Sequence, residues 1–460
     1  MHVEFSGAAR EVTGSCHILR IGGRTILLDC GLFQGKRSET QQKNLRLPCP
    51  IEEIDAIVLS HAHIDHAGRL PYLVARGYEK TIWSTAATRD LSAIMLADSA
   101  HIQEKDAEFL ARRKQSFVEP MYTGEDAKQT IARMIGVPLR RTVEVVPGVR
   151  LTFVEAGHIL GSASVVLDCS ENGVERRLVF SGDIGRPGLP IIRDPVPPDG
   201  ADVVIMESTY GDRNHEDVSG SRERLGAIVR ETAARGGRIL IPAFAVGRTQ
   251  EVLYELHMLQ RESQIPEIPI FIDSPLAIDA TTIFEMHPDL FDRGEDLIHE
   301  VREVFHFPRV RFTREVEASK ALNTMSGPMI IIAASGMAES GRILHHLANG
   351  ADDPRNTILI VGFMAEHTLG RRIVERRAHL RIFGDEIPLR ARVEVVNGYS
   401  AHAGQSELVA WVEAVRTQSS RLERVFLVHG EDGPRAVFEG ILSSRGFQPR
   451  SPAPGERHEL

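Results

Sequence analysis

The fold is decided by the stretch from Asp55 to His66, which reads DAIVLSHAHIDH. Its first half, DAIVLS, is a short apolar run of the kind that forms a buried β-strand. The run stops abruptly at the polar cluster HAHIDH, so the sequence predicts a strand that ends in a loop of histidines and an aspartate. Functional residues are common in such places, because a rigid strand fixes a loop that still faces solvent.

The spacing within this loop suits metal binding. Extended backbone places alternate side chains on the same side, so the imidazoles of His61 and His63 can hold one ion. Asp65 and His66 follow after a bend and can face a second ion close by. Imidazole and carboxylate ligands suit zinc, and a catalytic zinc keeps one position open for water. The loop therefore predicts a site for two metal ions rather than a merely polar turn.

Further polar residues follow apolar, strand-like runs elsewhere in the chain. They are His158 after RLTFVEAG, Asp183 after RRLVFSG, Glu207 within ADVVIMES and His429 after RVFLV. Glycines beside several of them let backbone segments approach closely. Each residue alone is more typical of an ordinary structural position, but together they supply the ligands that two metal ions need. We therefore expect these strand ends to converge on the loop after DAIVLS.

Length, charge and cysteine content limit the class of protein. A chain of 460 residues exceeds what one hydrophobic core usually supports, so we expect two domains or one domain with a large insertion. Four cysteines without CxxC spacing indicate reduced, buried thiols. The chain has neither an apolar signal segment nor an apolar run of membrane-spanning length, which predicts a cytoplasmic protein without a membrane partner. The net charge of −9 argues against bulk electrostatic coating of nucleic acid, but is compatible with a nuclease whose metal ions carry local positive charge.

The patterns of the remaining sequence predict two kinds of structure. The opening segments HVEFSG, SCHILRI and RTILLD have the alternation of antiparallel strands. The middle of the chain alternates strand-like runs such as RILIPAF and PMIIIAAS with helix-like segments such as TQEVLYELHMLQ, which predicts an α/β unit with parallel strands. We expect one domain formed by residues 1–209 and 391–460, an inserted domain at 210–390, and a loop in the tail SPAPGERHEL.

The ordered motifs resemble those of the metallo-β-lactamase superfamily. Its four motifs match Asp29 in LLDCG, the cluster HAHIDH, His158 in AGHILGS and Asp183 in FSGDIG. Glu207, His402 and His429 look like motifs A, B and C of the β-CASP nucleases within that superfamily. The segments IPAFAVGRTQEVLYEL, IDSPLA, IIIAASGMAESGRILHHL and GFMAEHTLGR are similar to the β-CASP insertion. The resemblance implies an α/β fold, a metallo-β-lactamase αββα sandwich with an inserted α/β β-CASP domain.

The resemblance also implies a role for each site residue. One Zn²⁺ would be bound by His61, His63 and His158, the other by Asp65, His66 and His429, and Asp183 would bridge the two ions opposite a bridging hydroxide. Asp29 would order the ligand loop without binding metal, as carboxylates near metal sites do. His402 would be the general acid for the leaving oxygen, and Glu207 would keep its imidazole charged and oriented.

The implied function is zinc-dependent hydrolysis of RNA that leaves 5′-phosphate and 3′-hydroxyl ends, with two zinc ions per chain. The similarity is strongest to the branch that includes the endonuclease subunit of the cleavage and polyadenylation specificity factor and its bacterial relatives. An endonuclease in RNA processing is therefore favoured, and a 5′ exoribonuclease stays open. The implied partner is RNA, with single strands preferred, and the sequence leaves homo-oligomerisation open.

Candidate substrate-binding residues have weaker support. Arg248 stands at a predicted helix start, where backbone N–H groups and a guanidinium suit a phosphate. Ser335, Gly336 and Ser400 are candidate phosphate contacts on the same argument.

Three other functions compete with the ribonuclease hypothesis. A small-molecule hydrolase of the same fold needs neither the insertion nor Glu207 with His402. A DNA-processing nuclease is disfavoured, because that branch usually has valine where this chain has His429. A non-catalytic scaffold is disfavoured because such paralogues have lost metal ligands, and here the ligand set is complete.

Overall fold

The computed structural model describes residues 1–35, 37–114, 119–215, 218–292, 302–362, 364, 367–419 and 422–460. The chain forms two compact units. The first comprises Met1–Pro187, Asp194–Asn214 and His402–Leu460, and the second comprises Gly188–Arg193 and His215–Ala401. The domain boundaries that the sequence predicts, after residues 209 and 390, remain a prediction.

The first unit contains two β-sheets. Among the described residues, one sheet has seven strands, with β22 and β1 to β6 in spatial order. These strands are Arg457–Glu459 (β22), His2–Gly7 (β1), Cys16–Ile21 (β2), Arg24–Leu28 (β3), Ile54–Val58 (β4), Ile82–Ser84 (β5) and Met134–Gly136 (β6). Alternate residues of β1 are buried, as expected for a strand with one face on a core.

The second sheet of this unit also has seven strands in the described part of the chain. In spatial order they are Pro449–Arg450 (β21), Arg424–Val428 (β20), Val203–Glu207 (β11), Val174–Phe180 (β10), Ala163–Glu171 (β9), Val149–Glu155 (β8) and Val143–Val146 (β7). β10, β11 and β20 are parallel, and β9 is antiparallel to both β8 and β10. The carboxyl ends of β8, β10, β11 and β20 therefore lie at one edge of this sheet.

Helices cover the outer faces of both sheets. They are Arg37–Leu45, Ile64–Ala67, Leu70–Ala75, Ala86–Lys114, Gly124–Ala132, Gln405–Thr417 and Asp432–Ser444, with a 3-10 turn at Ile51–Glu53. Leu70 and Leu96 belong to the same buried cluster as Ile57 of the first sheet. Trp411 and Phe438 cluster in the same way with residues of the second sheet.

The main core of the first unit lies between its two sheets. Phe5 and Leu19 of the first sheet share one buried cluster with Phe153 and Phe180 of the second. Burying one such side chain contributes about 1.5–3 kcal/mol, so this layer holds the two sheets together. The layers are thus helix, sheet, sheet and helix, which confirms the αββα sandwich predicted from the sequence.

The second unit is built on a parallel sheet of six strands among its described residues, in the spatial order β14-β13-β15-β12-β16-β19. The strands are Arg238–Pro242 (β12), Ile270–Ile272 (β13), Val310–Phe312 (β14), Met329–Ala333 (β15), Thr357–Ile360 (β16) and Arg392–Val395 (β19), with a hairpin of His379–Ile382 (β17) and Asp385–Pro388 (β18). Its helices are Val218–Ala234, Arg248–Arg261, Pro275–Met286, Val316–Leu322, Arg342–Gly350 and Leu369–Val374, with a 3-10 turn at Pro288–Leu290. β15 is buried along its whole length, as is typical of parallel strands covered on both faces. The α/β insertion predicted from the sequence is confirmed.

The C-terminal tail differs from the prediction. A loop was expected over residues 451–460, but Arg457–Glu459 forms β22 and pairs with β1. The Arg457 guanidinium lies 2.7 Å from the Glu4 carboxylate. The segment is too short and too polar to show strand alternation, and it becomes a strand because the free edge of β1 offers backbone partners.

Two expectations from the sequence concern the state of the cysteines and the presence of membrane-spanning helices. All four cysteines are free and buried. In the part of the chain that the structure describes, none of the helices combines the length and apolar character needed to cross a membrane.

Candidate metal centre

The strand ends bring the predicted ligands together in two groups. His61, His63 and His158 form the first ligand group, and Asp183 lies with them. Asp65, His66 and His429 form the second ligand group. Within each cluster one potential ligand atom per residue lies within 4.8 Å of every other.

Local backbone explains how one short loop serves both groups. His63 has extended backbone, with φ −58° and ψ 146°, and a helix begins at Ile64 immediately after it. The change from extended to helical backbone turns Asp65 and His66 away from the side that His61 and His63 share. This is the bend that the sequence predicted.

Glycines allow the surrounding loops to pack against one another. A β-carbon on Gly185, in the loop after β10, would lie 1.7 Å from the carbonyl oxygen of Gly157, in the loop after β8. A β-carbon on Gly31 would lie 1.6 Å from the carbonyl oxygen of Asp65. Larger residues cannot occupy these positions without moving the ligand loops apart.

In the first ligand group, three ring nitrogens face one another. His63 Nδ1 lies 3.2 Å from His61 Nε2 and 3.1 Å from His158 Nε2. Asp183 Oδ2 lies 3.5 Å from His61 Nε2 and 3.6 Å from His158 Nε2. His61 and His158 are almost completely buried, so these polar atoms surround a point that water reaches poorly.

The second ligand group has the same spacing but a different composition. His429 Nε2 lies 3.1 Å from His66 Nε2 and 3.4 Å from Asp65 Oδ2. Asp183 Oδ1 lies 3.3 Å from His66 Nε2. Asp183 therefore turns one carboxylate oxygen towards each ligand group.

These distances fit bound cations. A tetrahedral cation with ligands at about 2.0–2.1 Å places neighbouring ligand atoms roughly 3.3 Å apart, and the spacings in both groups lie close to that value. Asp183 Oδ1 is buried and makes no hydrogen bond with the described residues, and a bound cation would balance its charge in place of the His66 ring 3.3 Å away. Nitrogen and oxygen donors without thiolates suit zinc and similar divalent ions.

Asp29 orients His66 of the second ligand group by contacting the ring nitrogen Nδ1, while Nε2 faces the site. Its Oδ2 lies 2.7 Å from His66 Nδ1, and its side chain is fully buried. A proton on Nδ1 that is bonded to this carboxylate leaves the lone pair of His66 Nε2 directed at the site. Asp29 itself has φ 58°, the left-handed region, so surrounding hydrogen bonds must hold it there.

Ser60 extends this support to the first ligand group, and the sequence analysis missed it. Its hydroxyl donates to Asp29 Oδ2 at 2.9 Å and lies 3.1 Å from His61 Nδ1. Because its hydrogen is used on Asp29, the Ser60 oxygen accepts the Nδ1 proton of His61, and the Nε2 lone pair points at the site. Its position directly before His61 was the available signal.

The charge states of the unliganded side chains suit metal binding. Burial lowers the pKa of His61 well below its usual value and that of His63 to about 4, so both rings are neutral at neutral pH. Burial opposes ionisation of Asp183, but the nearby His429, His66 and His61 hold the pKa of its carboxyl well below normal. Burial opposes protonation of His66, but Asp183 and Asp29 raise its pKa, so a cation at its Nε2 must displace a proton.

His402 and Glu207 form a pair beside the ligand groups. Glu207 is the last residue of β11 and is fully buried, and its Oε1 accepts the Ile184 N–H at 2.5 Å. His402 Nδ1 lies 3.3 Å from Glu207 Oε2 and 3.9 Å from Asp183 Oδ2. The rings of His402 and His158 are 4.4 Å apart, so the pair adjoins the first ligand group.

Glu207 gives His402 the character of an acid. Burial opposes protonation of the His402 ring, but the charge and hydrogen bond of Glu207 exceed this effect and raise the pKa of His402 to about 9. The side chain of His402 is 22% exposed, whereas that of Glu207 is fully buried. A protonated imidazole with partial access to solvent can donate a proton to a bound molecule.

The candidate substrate-binding residues all belong to the second unit. Arg248 begins the helix Arg248–Arg261, but it is buried and its guanidinium lies 3.4 Å from the carboxylate of Glu251. Ser335 and Gly336 follow β15, where a β-carbon on Gly336 would lie 2.7 Å from the ring of Phe244.

Ser400, the fourth candidate, is buried. Phosphate binding by these four residues stays a prediction. Phe363, Ala365 and Glu366 of the segment GFMAEHTLGR lie outside the described residues.

Comparison with known families gives three matches along the chain. Residues 9–217 match the model of the metallo-beta-lactamase superfamily, and residues 249–373 match the Beta-Casp domain. Residues 386–438 match the Zn-dependent metallo-hydrolase RNA specificity domain.

Individual relatives match nearly the whole chain. A ribonuclease of Thermus thermophilus is 38% identical over 444 residues, which cover 96% of this chain and 95% of that protein. The transcription termination factor FttA of Methanosarcina mazei is 32% identical over 438 residues, covering 93% of this chain. The chain spans 66% of that archaeal relative and also 66% of the FttA of Thermococcus kodakarensis, which is 31% identical.

One solved structure has a fold similar to that of this chain. A protein of unknown function from Enterococcus faecalis V583 aligns with a TM-score of 0.55 over 100% of this chain and 99% of that chain. Its sequence identity is 12%, so the likeness concerns the fold alone. With the αββα sandwich, the ligand groups and the match over nearly the whole length of the Thermus thermophilus ribonuclease taken together, the chain belongs to the β-CASP family of the metallo-β-lactamase superfamily and is a metal-dependent hydrolase.

Proposed function

We propose that the protein is a ribonuclease that binds two zinc ions per chain and hydrolyses the phosphodiester bonds of RNA. The observation that carries this proposal is the His402–Glu207 pair, whose imidazole Nδ1 lies 3.3 Å from Glu207 and 3.9 Å from Asp183. A leaving alkoxide needs a proton donor at such a place. The Thermus thermophilus relative named as a ribonuclease and the match to an RNA specificity domain favour RNA as the substrate.

Each ligand group would hold one zinc ion, with Asp183 shared between them. When bound, zinc supplies a nucleophile at neutral pH by lowering the pKa of water towards about 7, and it offsets the charge of a phosphodiester. Asp29 and Ser60 would keep the His66 and His61 rings oriented while substrate enters, through their bonds of 2.7 Å and 3.1 Å. Ligand rings held in this way need no rearrangement during the reaction.

His402 would protonate the leaving 3′ oxygen. Its Nδ1 faces the Glu207 carboxylate, which leaves Nε2 to donate its proton. Glu207 would keep the ring charged before transfer, because a nearby carboxylate favours imidazolium. Water is the nucleophile in this scheme and the 2′-hydroxyl takes no part, so the products would carry 5′-phosphate and 3′-hydroxyl ends.

Endonucleolytic cleavage is the favoured mode, with single-stranded RNA as the preferred substrate. The cytoplasmic location and homo-oligomerisation stay predictions.

The test uses purified full-length protein with circular RNA, with 5′-labelled linear RNA and with DNA of the same sequence. Each reaction is run with zinc and with excess chelator, and product ends are mapped. We expect zinc-dependent cleavage of both circular and linear RNA, with 5′-phosphate and 3′-hydroxyl ends.

Each result has a defined meaning. Cleavage of linear RNA alone, with release of 5′ mononucleotides, would replace the endonuclease by a 5′ exoribonuclease. A 2′,3′-cyclic phosphate product would exclude water as the nucleophile. Hydrolysis of simple esters without cleavage of RNA would overturn the proposal in favour of a small-molecule hydrolase.

A further inference from the structure

The hydroxyl of Thr209 lies between two parts of His429. Thr209 Oγ1 is 3.2 Å from the ring nitrogen Nδ1 of His429 and 3.1 Å from its carbonyl oxygen. Thr209 follows β11 and His429 follows β20, and these strands are parallel neighbours with Glu207 opposite Val428. The contact therefore joins two strand ends that are 220 residues apart in sequence.

The hydrogen count of this contact determines the tautomer of His429. A threonine hydroxyl has one hydrogen, and here it is donated to the carbonyl oxygen of His429. The Thr209 oxygen can then only accept at Nδ1, so Nδ1 carries the proton of the neutral ring. The lone pair is left on Nε2, the atom that faces His66 and Asp65 at 3.1 Å and 3.4 Å.

The same hydroxyl supports the backbone of His429. His429 has φ 49°, a left-handed conformation that few residues other than glycine adopt. Its N–H donates to the Ala8 carbonyl oxygen at 2.8 Å, and its carbonyl oxygen accepts from Thr209. One side chain thus contacts both the backbone and the ring of this residue.

The other ligand rings with similar support depend on a carboxylate. Asp29 contacts His66 directly and His61 through Ser60, whereas His429 Nδ1 lies 3.2 Å from the neutral hydroxyl of Thr209 and farther, at 3.6 Å, from Asp183 Oδ1. Hydrogen bonds to charged groups are roughly twice as strong as neutral ones. The orientation of His429 should therefore be more sensitive to loss of a single partner than that of His61 or His66.

We propose that Thr209 is a positioning residue that sets the tautomer and orientation of His429 and thereby the affinity of the second ligand group for its ion. The inference rests on the proposed binding of two zinc ions. It extends the role of the carboxyl end of β11: Glu207, its last residue, would orient the proton donor, and Thr209, two residues later, would orient a metal ligand.

The test compares Thr209→Val, which keeps the shape and removes the hydroxyl, with Thr209→Ser, which keeps the hydroxyl. Ser208→Ala is the matched control, because the Ser208 hydroxyl donates to the Val428 carbonyl oxygen at 2.9 Å and none of its hydrogen bonds reaches the His429 ring. Zinc affinity is measured by competition with a chromophoric chelator, and zinc content by elemental analysis after dialysis. Melting temperatures report folding.

We expect Thr209→Val to weaken one of the two zinc sites by about 10–100-fold, the usual effect of losing a partner that orients a ligand. The other site should change little, and Thr209→Ser and Ser208→Ala should keep both affinities. After dialysis, Thr209→Val should retain about half of the zinc of the wild-type protein.

The outcomes separate this inference from the proposed function. If the wild-type protein binds two zinc ions and cleaves RNA, but Thr209→Val has wild-type zinc affinities, Thr209 has no positioning role. Equal loss of both ions in Thr209→Val and Ser208→Ala, with lowered melting temperatures, would also overturn it. If Thr209→Val does not fold, failure of Thr209→Ser to retain wild-type affinity counts against the inference. A wild-type protein without bound zinc would instead contradict the proposed function.

Discussion

The two ligand groups have similar atomic spacing but are assembled in different ways. The first consists of three imidazoles, two of which come from one loop after β4, and nitrogens lie 3.1 Å and 3.2 Å apart. The second combines a carboxylate with imidazoles that are 363 residues apart in sequence, and its ring nitrogens are also 3.1 Å apart. Each group therefore combines two ligands from the HAHIDH loop with a third that long-range packing supplies, 95 residues from His63 in the first group and 363 residues from His66 in the second.

The difference lies in what holds each group in place. His61 and His66 are supported by Asp29, a buried carboxylate, whereas His429 has a left-handed backbone and its Nδ1 lies nearer to the neutral hydroxyl of Thr209 than to the Asp183 carboxylate. We infer that loss of a supporting side chain lowers the zinc affinity of the second group more than that of the first. The predictions below test this asymmetry and begin with the residue that both groups share.

Replacing Asp183 should have the largest effect. Its two oxygens face opposite groups, at 3.5 Å from His61 and 3.3 Å from His66. Asp183→Ala should lose most of both ions, and cleavage of RNA should become undetectable. Elemental analysis and the circular RNA assay check this, and a variant that keeps two zinc ions would show that the groups do not share Asp183.

The next largest effect should come from replacing His402, the proposed proton donor, which belongs to neither group. His402→Ala should keep both zinc ions and still bind RNA, but cleave about 10²–10⁴-fold more slowly, the usual contribution of general acid catalysis. Zinc content and single-turnover rates check this. Full activity of the variant would mean that another group protonates the leaving oxygen.

The pH profile should reveal how Glu207 acts. If His402 is the general acid, it acts only while protonated, so activity falls as pH rises through its pKa, which is about 9 in the metal-free site and would be lowered by bound cations. Glu207→Gln removes the charge that raises this pKa. The descending limb should therefore move to lower pH by about one unit or more, with zinc content unchanged.

Measuring the rate profiles of both proteins from pH 5 to pH 10 checks this prediction. A descending limb at the same pH in Glu207→Gln and in the wild-type protein would contradict an electrostatic role for Glu207.

Ser60 provides the smallest and most specific test of the asymmetry. Its hydroxyl links His61 Nδ1 to Asp29 at 3.1 Å and 2.9 Å, so Ser60→Ala should weaken zinc at the first group. We expect about a tenfold loss of affinity. This is smaller than for Thr209→Val, because the Ser60 hydroxyl contacts the ring of His61, whereas the Thr209 hydroxyl contacts both the ring and the carbonyl oxygen of His429. A loss at the first group that exceeds the loss caused by Thr209→Val at the second group would reverse the order of stability inferred for the two groups.

Much of the site could be predicted because its residues follow strand ends. His158, Asp183 and His429 each come shortly after an apolar run, and the structure places them beside the HAHIDH loop. The contributions of Ser60 and Thr209 could not be predicted in this way. Serine and threonine are common near strand ends, and only their distances to ring nitrogens distinguish a positioning role from a structural one.

Tertiary packing also determined two features that local sequence patterns did not predict, the burial of Arg248 and the strand at Arg457–Glu459. Arg248 has the sequence of an exposed helix start, yet it is buried beside Glu251. Arg457–Glu459 has no strand pattern, yet it pairs with β1. The strand Arg457–Glu459 depends on a partner strand at the other end of the chain. The environment of Arg248 depends on burial, which residue type alone does not specify.

The sequence by itself determined the fold class and identified the candidate ligands, because apolar periodicity and side-chain chemistry are local properties of the chain. The tertiary structure alone decided which carboxylate oxygen of Asp183 faces each ligand group, and which tautomer each hydrogen-bond partner imposes on a ring. These features are distances between atoms on separate strands. Such distances exist only after the sheets have packed and the strand registers are set.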